Sequence, residues 1–537
     1  SDGVFGTLMH SKSSSPYYGI YLQDDWKITQ RLTLNMGLRY ELEVPRAETA
    51  DRLDWFDYNA LSPLSGKVPG LGEIRGGLQF AKVGANPRRH FNTDRNNFAP
   101  RFGFACQLNK ATVVRGGYGI FFGSGSVGAG GWNIASLGFA PSTDLVGSLD
   151  GLRPNTYLDN PFPNGFAQAV GNSQGLASFL GQDITRLFDR SAPLPYNQQW
   201  NFSLQRQFGA LLVQTAYSGS RGVHLGDGAG FQLNQLPASA LELGNALQQL
   251  VANPFYGLIA NPGALRATQV TRGQLLRPYP QFGNLTVFNP AAAASTYHGL
   301  SLKVERRFAA GLGFLASYTT SKNISDAPAT IGPAAGHQDA YNRRADRSLT
   351  EEDIAQRFTS SLNWELPVGK GRLLGAGWGR AMDIVAGGWQ INALVSMQTG
   401  PPLVITNTPN TSRALGGAQR PNSTGIGAAL DGAVQSRLNG FLNPSAFSAT
   451  ALYTYGNVSR TLPDVRGPRA GNIDFSVFKI FPLREHLRLQ FRAEIFNATN
   501  TPVFGLPNGG FGGASFGVIT NQSNRPRQVQ LALRLYW

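Results

Sequence analysis

The sequence predicts an all-β fold, an antiparallel transmembrane β-barrel with long extracellular loops and short periplasmic turns, and three observations lead there. Apolar residues recur with the period of two that marks strands rather than the 3.6 that marks helices. Short turns alternate with long connections along the chain, as they do in a transmembrane barrel. The last stretch, Arg527 to Trp537 (RQVQLALRLYW), sets Val529, Leu531, Leu533, Leu535 and Trp537 on one face and Gln528, Gln530, Ala532, Arg534 and Tyr536 on the other. A soluble edge strand shares that alternation, so the other segments must decide.

Composition agrees with the strands. The 537 residues include 65 Gly and 32 Pro, with 11% aromatic and only 15% charged residues, a mixture poor in helix formers and rich in turn and strand formers. No run approaches the roughly 20 apolar residues of a membrane-spanning helix, and mean hydropathy is slightly negative. Hydropathy does not detect barrels, whose strands alternate. The opening residues, SDGVFGTLMHSKSSS, lack an initiator Met, a basic stretch and an apolar stretch, so the expectation is a cleaved leader or a fragment. The single cysteine, Cys106, excludes an intramolecular disulfide and a CxxC metal site.

Taken in order, the strands form hairpins. Tyr17 to Glu43 reads as two strands around a tight connection near Lys27 to Gln30, the second with Leu32, Leu34, Met36, Leu38, Tyr40 and Leu42 on one side and Arg39 and Glu41 on the other. Asn97 to Gln107 pairs with Ala111 to Phe122, Gln198 to Phe208 with Leu211 to Gly219, and Tyr297 to Phe308 with Leu312 to Lys322. Gln356 to Leu366 pairs with Trp389 to Thr399 across a longer connection, Asn472 to Phe481 pairs with Leu487 to Asn497, and the terminal strand stands alone as the thirteenth. The connections 44–96, 123–197, 220–295, 323–355, 400–471 and 498–526 are long, rich in Gly, Pro, Asn and Ser, and without helical periodicity. Structureless loops of that size speak against a compact soluble domain. With every short turn in the periplasm, the odd strands run downward and Trp537 ends at the periplasmic rim.

The strands carry a charged face. Arg39, Glu41, Lys303, Glu305, Arg488, Arg492, Glu494 and Arg534 alternate with apolar residues, so they face the lumen. There they either pass a hydrophilic substrate or form a side-chain network that stiffens the wall. Trp26, Tyr40, Trp364, Trp389 and Trp537 lie near strand ends, where aromatic girdles sit.

Other chemistries find little support. The formal charge of +15 and pI near 10 invite nucleic acid, but the basic residues are dispersed, with only short pairs such as Arg88–Arg89, Arg306–Arg307 and Arg343–Arg344. A basic lumen, or loops meeting lipopolysaccharide phosphates, accounts for the charge. Gly123, Gly125 and Gly128 match a dinucleotide-binding spacing but no βαβ unit follows. Gly513, Ser515 and Gly517 match a nucleophile elbow but lead into the last strand rather than a helix. His10, His90, His224, His298, His337 and His486 are scattered without metal-ligand spacing. No enzyme activity, cofactor or metal is expected, and the acidic run Glu351, Glu352, Asp353 reads as a solvated segment before a strand, with cation binding as the other reading.

Seven strings resemble the TonB-dependent outer-membrane receptors, in particular the large Oar-like branch: YYGIYLQDDWKITQRLTLNMGLRYE; NFAPRFGFA with VVRGGYGIFF; PYNQQWNFSLQRQF with AYSGSRGVHL; YHGLSLKVERRF with FLASYTTSKNISD; QRFTSSLNWELPVGKGR; GGWQINALVSMQTGPP; and NIDFSVFKIFPLREHLRLQFRAEIFNATNTPVFG. The resemblance spans Tyr17 to Trp537. It implies the C-terminal thirteen or so strands of a barrel of about 22, with the last strand as strand 22 and the first as strand 10, a downward strand. Residues 1–16 are then the end of an upstream loop or strand, and 17–537 the barrel domain, with its plug and TonB box outside this chain. A complete barrel of about 14 strands, with Val4 to His10 as the extra strand, is the structural alternative. The resemblance further implies bacterial outer-membrane location, contact with lipopolysaccharide, energy from the TonB complex through the plug, and import of a substrate bound at the loops. A passive pore, or an adhesion or export scaffold, are the functional alternatives. Leu531, Leu533, Leu535 and Trp537 look like the signal read by the barrel-assembly machinery. Deleting Trp537 is therefore expected to lower the amount of heat-modifiable protein in the outer-membrane fraction before it alters any substrate uptake.

Overall fold

A computed structural model describes every residue except 1–2, 7–9, 125–135, 149–151, 158, 164, 229, 328–336, 410–412, 414–416, 418 and 485. Its framework is one meandering antiparallel sheet. The strands are β1 (Tyr17–Lys27), β2 (Leu32–Glu43), β3 (Phe98–Asn109), β4 (Thr112–Phe122), β5 (Tyr196–Phe208), β6 (Leu211–Gly226), β7 (Ala291–Ala309), β8 (Leu312–Ser325), β9 (Gln356–Glu365), β10 (Trp389–Gln398), β11 (Ala470–Pro482), β12 (Arg488–Phe496) and β13 (Gln528–Tyr536). Each pairs with its neighbours in sequence, and a two-residue strand, Ser348–Leu349, adds to β8. Among the described residues the path is open: β1 and β13 each pair on one side only.

Tight turns make this meander possible. At Ala310–Gly311, between β7 and β8, both residues hold positive φ, +50° and +81°. That is the conformation a two-residue hairpin demands for its twist to match the flanking strands. Lys110–Ala111 and Gly209–Ala210 are equally short.

Register then fixes the faces, because side chains alternate. Leu38 lies opposite Leu22 and Pro100, Phe102 opposite Tyr118, and Tyr118 opposite Trp200. Further along, Phe202 lies opposite Tyr217, Tyr217 opposite Leu300, and Leu302 opposite Tyr318. Tyr318 meets Phe358, Phe358 meets Met397, and Val477 meets Ile391 and Ala493. The series ends at β13, where Leu531, Leu533 and Leu535 oppose Ala493, Phe491 and Leu489. A single apolar face thus runs from β1 to β13, with few charges on it, among them Asp24 on β1, Arg206 on β5, Arg306 on β7 and Lys479 on β11. At the two edges it is bare, with Leu22 80% and Leu533 67% exposed. Trp26, Trp364 and Trp389 stand on this face at the turn end, and Tyr40 at the loop end.

Three sequence expectations need correction. Residues Gly3–Gly6 form a strand, but it pairs with Ser142–Leu145 in a loop and adds nothing to the main sheet. Of the extra strand expected from Val4 to His10, Val4 to Gly6 thus lie outside the main sheet, and 7–9 are not among the described residues. The long connections are not structureless either, for they fold over the loop end around apolar cores of their own. Phe56, Leu78, Phe80, Ile184, Leu187, Phe282, Leu285 and Val287 gather residues from 44–97, 123–195 and 227–290. Leu403, Ile405, Phe441, Phe447, Val458, Leu462 and Ile519 join 399–469 to 497–527. Burying a Phe or Leu side chain is worth about 1.5–3 kcal/mol, and such residues, spread singly among Gly and Pro, give no periodic signal. Finally, Glu351 and Asp353 are not a solvated run: Asp353 is 1% exposed and bonded to Arg466 at 2.5 Å, and Glu351 lies 3.4 Å from the fully buried Arg460.

The register sets a direct test. Leu533→Arg, on the apolar face, is expected to cost roughly 2–4 kcal/mol when that position lies at mid-bilayer, and Ala532→Arg, on the opposite face, much less. Equal losses in a denaturant titration of the protein in lipid would refute the facing.

Candidate functional site

Opposite the apolar face lies a polar one. It presents Asn197, Gln199, Asn201, Ser203 and Gln205 from β5, Thr359, Ser361 and Asn363 from β9, and Gln390, Asn392 and Ser396 from β10. All eight charged residues singled out in the sequence fall on this face by register. Arg39 Nε bonds Glu41 Oε1 at 2.7 Å and its other guanidinium arm bonds the Tyr17 hydroxyl at 3.0 Å. Lys303 Nζ lies 2.9 Å from Glu305. Arg492 donates to Gln490 at 2.9 Å and lies over the Phe478 ring at 4.5 Å. Arg534 sits directly across from Gln490, between the positions of Arg488 and Arg492, so three arginine positions adjoin on β12 and β13. Arg488, Glu494 and Arg534 have no ion-pair partner among the described residues. The remaining pairs stand apart on β2 and β7. Leu531, Leu533, Leu535 and Trp537 are exposed.

At the loop end a cavity of about 280 Å³ opens where β2, β6 and β7 meet the folded loops. Its walls are the Phe91, Phe188 and Phe288 rings with Pro193 and Pro195, and its polar groups include Glu43, Asp94, Asp189 and His224. The rings stack edge-on, with Phe188 6.0 Å from both Phe91 and Phe288. Asp94 and Asp189 are held in place by backbone donors, from Leu194 at 3.0 Å and Ser191 at 2.9 Å. Aromatic walls with a few oriented acceptors suit a small ligand that has both apolar surface and donors or positive charge. The sequence did not reveal this cavity, because its residues come from three loops and three strands.

A second constellation lies within the loop layer. His337 is bracketed by two carboxylates: Nδ1 bonds Asp346 Oδ2 at 2.6 Å, and Nε2 bonds Asp227 Oδ2. Asp346 also binds Arg420 at 2.5 Å, and Asp227 binds Arg343 at 3.1 Å. A ring that donates from both nitrogens is an imidazolium. Burial works against the charge, but the bonds to Asp227 and Asp346 prevail and push His337 up to about 9. Burial likewise opposes the Asp346 carboxylate, while His337 and Arg420 hold it below its usual range. Arg460 completes the cluster, donating to the carbonyls of Asp346 and Ser325 at 3.0 and 2.9 Å. The network ties 227–290, 326–355 and 399–469 together, and it consumes its own charges, so its work is structural. The partners of His337 are 110 and 9 residues away in sequence, which is why spacing did not expose them. Of the two enzyme-like strings, Gly125 and Gly128 lie outside the described residues. Ser515 is in a turn, where its hydroxyl accepts from Asn508 at 3.0 Å.

Removing one member of a buried charge network strands the others, so Asp346→Ala is expected to cost about 3–5 kcal/mol in the loop layer. With the His337 pKa raised, its contribution is complete below 6.5 and lost as pH rises through about 9. With Asp346 lowered, its contribution is present above 3.8 and lost as pH falls through its folded value. Limited proteolysis should therefore cut 399–469 faster at pH 10 than at pH 7 while the sheet stays heat-modifiable, and His337→Ala should abolish that alkaline step.

The ferripyoverdine receptor of the outer membrane of Pseudomonas aeruginosa matches at 9% identity and TM-score 0.40, covering 98% of this chain and 39% of that one. The siderophore receptor PiuA from Acinetobacter baumannii matches at 8% and 0.39, covering 98% and 43%. The outer membrane transporter YddB from Escherichia coli matches at 8% and 0.42, covering 97% and 54%. The chain thus spans about half the length of these structures or less. No curated protein matches. The model of the outer membrane beta barrel domain matches residues 7–530, nearly the whole sheet and its loops. With an apolar face and a polar face continuous across thirteen antiparallel strands, the chain belongs to the outer membrane beta barrel domain family, and its place is the bacterial outer membrane.

Proposed function

We propose that this chain is the C-terminal part of the barrel of a TonB-dependent receptor of the Oar-like branch, which binds a substrate at its outer loops and imports it with energy relayed by TonB. The observation that carries the reading is the polar face, continuous from Tyr17 to Tyr536 and built largely of Ser, Thr, Asn, Gln and paired charges. Such a face suits a hydrated lumen wide enough to hold a plug. Arg39, Glu41, Lys303, Glu305, Arg488, Arg492, Glu494 and Arg534 line that lumen. The cavity walled by Phe91, Phe188 and Phe288 is where the substrate first docks.

Strand direction supports the same reading. Both β1 and β13 run from the loop end toward the turn end, so pairing them directly would be parallel. Antiparallel closure takes an odd number of further strands. A barrel of about 22 strands leaves about nine, which is odd. Residues 17–537 are then barrel, and 1–16 the end of an upstream loop or strand. By the same reading the terminal strand, with Leu531, Leu533, Leu535 and Trp537, is presented to the barrel-assembly machinery.

In planar bilayers the full-length protein is expected to show no steady conductance, because a plug fills its lumen. In cells, deleting its gene should add nothing to the growth defect of a strain lacking TonB. A constantly open channel would instead identify a passive pore, and an additive defect with no uptake would point to adhesion or export.

A further inference from the structure

Five connections at the turn end are tight, and the sixth is not. Residues 366–388, between β9 and β10, carry a helix, α1 (Arg380–Ala386). Its last turn is bound to the apolar face of the sheet. Trp389 Nε1 donates to the Val385 carbonyl at 2.9 Å. Lys479 Nζ donates to the carbonyls of Asp383 at 3.4 Å, Val385 at 3.3 Å and Gly387. Register places Trp389 and Lys479 opposite each other on the apolar face, and the ammonium lies 5.0 Å from the Trp389 ring centroid and 5.3 Å from that of Phe481. A lysine on that face is tolerated because the end of the helix covers it, leaving it 3% exposed.

The helix turns its carboxylate inward. Asp383 accepts from the Lys370 backbone N–H at 2.6 Å. Its outer side is apolar: Ala381, Ile384 and Val385 follow the i, i+3, i+4 spacing of one helical face, with Met382 beside them. Ile384 is 49% and Val385 70% exposed, and Leu373 and Leu374 extend the patch at 85% and 57%. A water-facing helix would turn that stripe toward the protein. Lys370, Arg372 and Arg380 lie exposed around it.

We propose that 366–388 is an interfacial anchor, with the apolar side of α1 among the acyl chains of the periplasmic leaflet and Lys370 and Arg380 at the phosphates of its phospholipids. The occupant follows from continuity, since the stripe extends the face that the sheet already turns to the membrane, and from the sign of the charges beside it. The assignment rests on the membrane placement of the sheet and holds whether the barrel imports, leaks or adheres.

Spin labels on single cysteines test it in the full-length protein, with Cys106 and any upstream cysteine changed to serine, in phosphatidylethanolamine–phosphatidylglycerol vesicles. Heat-modifiability of each variant confirms folding. Labels at Ile384→Cys and Val385→Cys are expected to collide more with oxygen than with a water-soluble nickel chelate, as a label at Leu533→Cys does. Greater collision with nickel, as at the turn residue Lys110→Cys, would overturn the anchor. In the Ile384→Cys background, Lys370→Glu with Arg380→Glu should raise nickel access at least twofold, and unchanged access would overturn the phosphate contacts.

Discussion

Inside hydrocarbon no water is available to a backbone N–H or C=O, so each must find a partner in the protein. An antiparallel ladder supplies those partners, and in this chain it does so between sequence neighbours from β1 to β13. Once the ladder is set, alternation assigns every side chain to one of two faces, and a slip of one residue would exchange them all. The apolar face, the polar face and the position of each charged residue are consequences of that pairing. Among the described residues, β1 and β13 each meet this constraint on one side only, and an edge without partners is costly in hydrocarbon.

The two ends of the sheet solve different problems. At the turn end the chain must reverse in few residues, and positive φ at Ala310 and Gly311 achieves this. At the loop end the connections are long enough to bury apolar residues and ions of their own. There Arg460 is fully buried yet satisfied by two carbonyls and a nearby carboxylate, and His337 holds two carboxylates together. A rigid layer of this kind can present a shaped cavity, which unconstrained loops cannot. Lys479 shows that the sorting of charge by face has exceptions, and here the carbonyls at the end of α1 compensate for it.

Legibility differed sharply between these parts. The strands of the main sheet, their order and the placing of Arg39, Glu41, Lys303 and Arg534 opposite the apolar face were readable because a period of two is a local property. The hairpin partners were readable because the turns between them are short. The loop layer was not: Phe56 and Phe282, or His337 and Asp227, meet only after long stretches without periodicity, and Glu351 and Asp353 looked solvated because their arginine partners lie more than a hundred residues away. The helix at Arg380–Ala386 is too short, and too broken by neighbouring glycines, to register as helical.

The sequence by itself determined the strands, their alternation and the resemblance to outer-membrane receptors, since each depends on residues a few positions apart. Only the tertiary structure decided which loops bury one another, where the cavity opens, which carboxylates bracket His337 and why Lys479 is tolerated on an apolar face. Those outcomes depend on groups brought together by chain closure over long distances, and closure of that kind leaves no local periodicity to read.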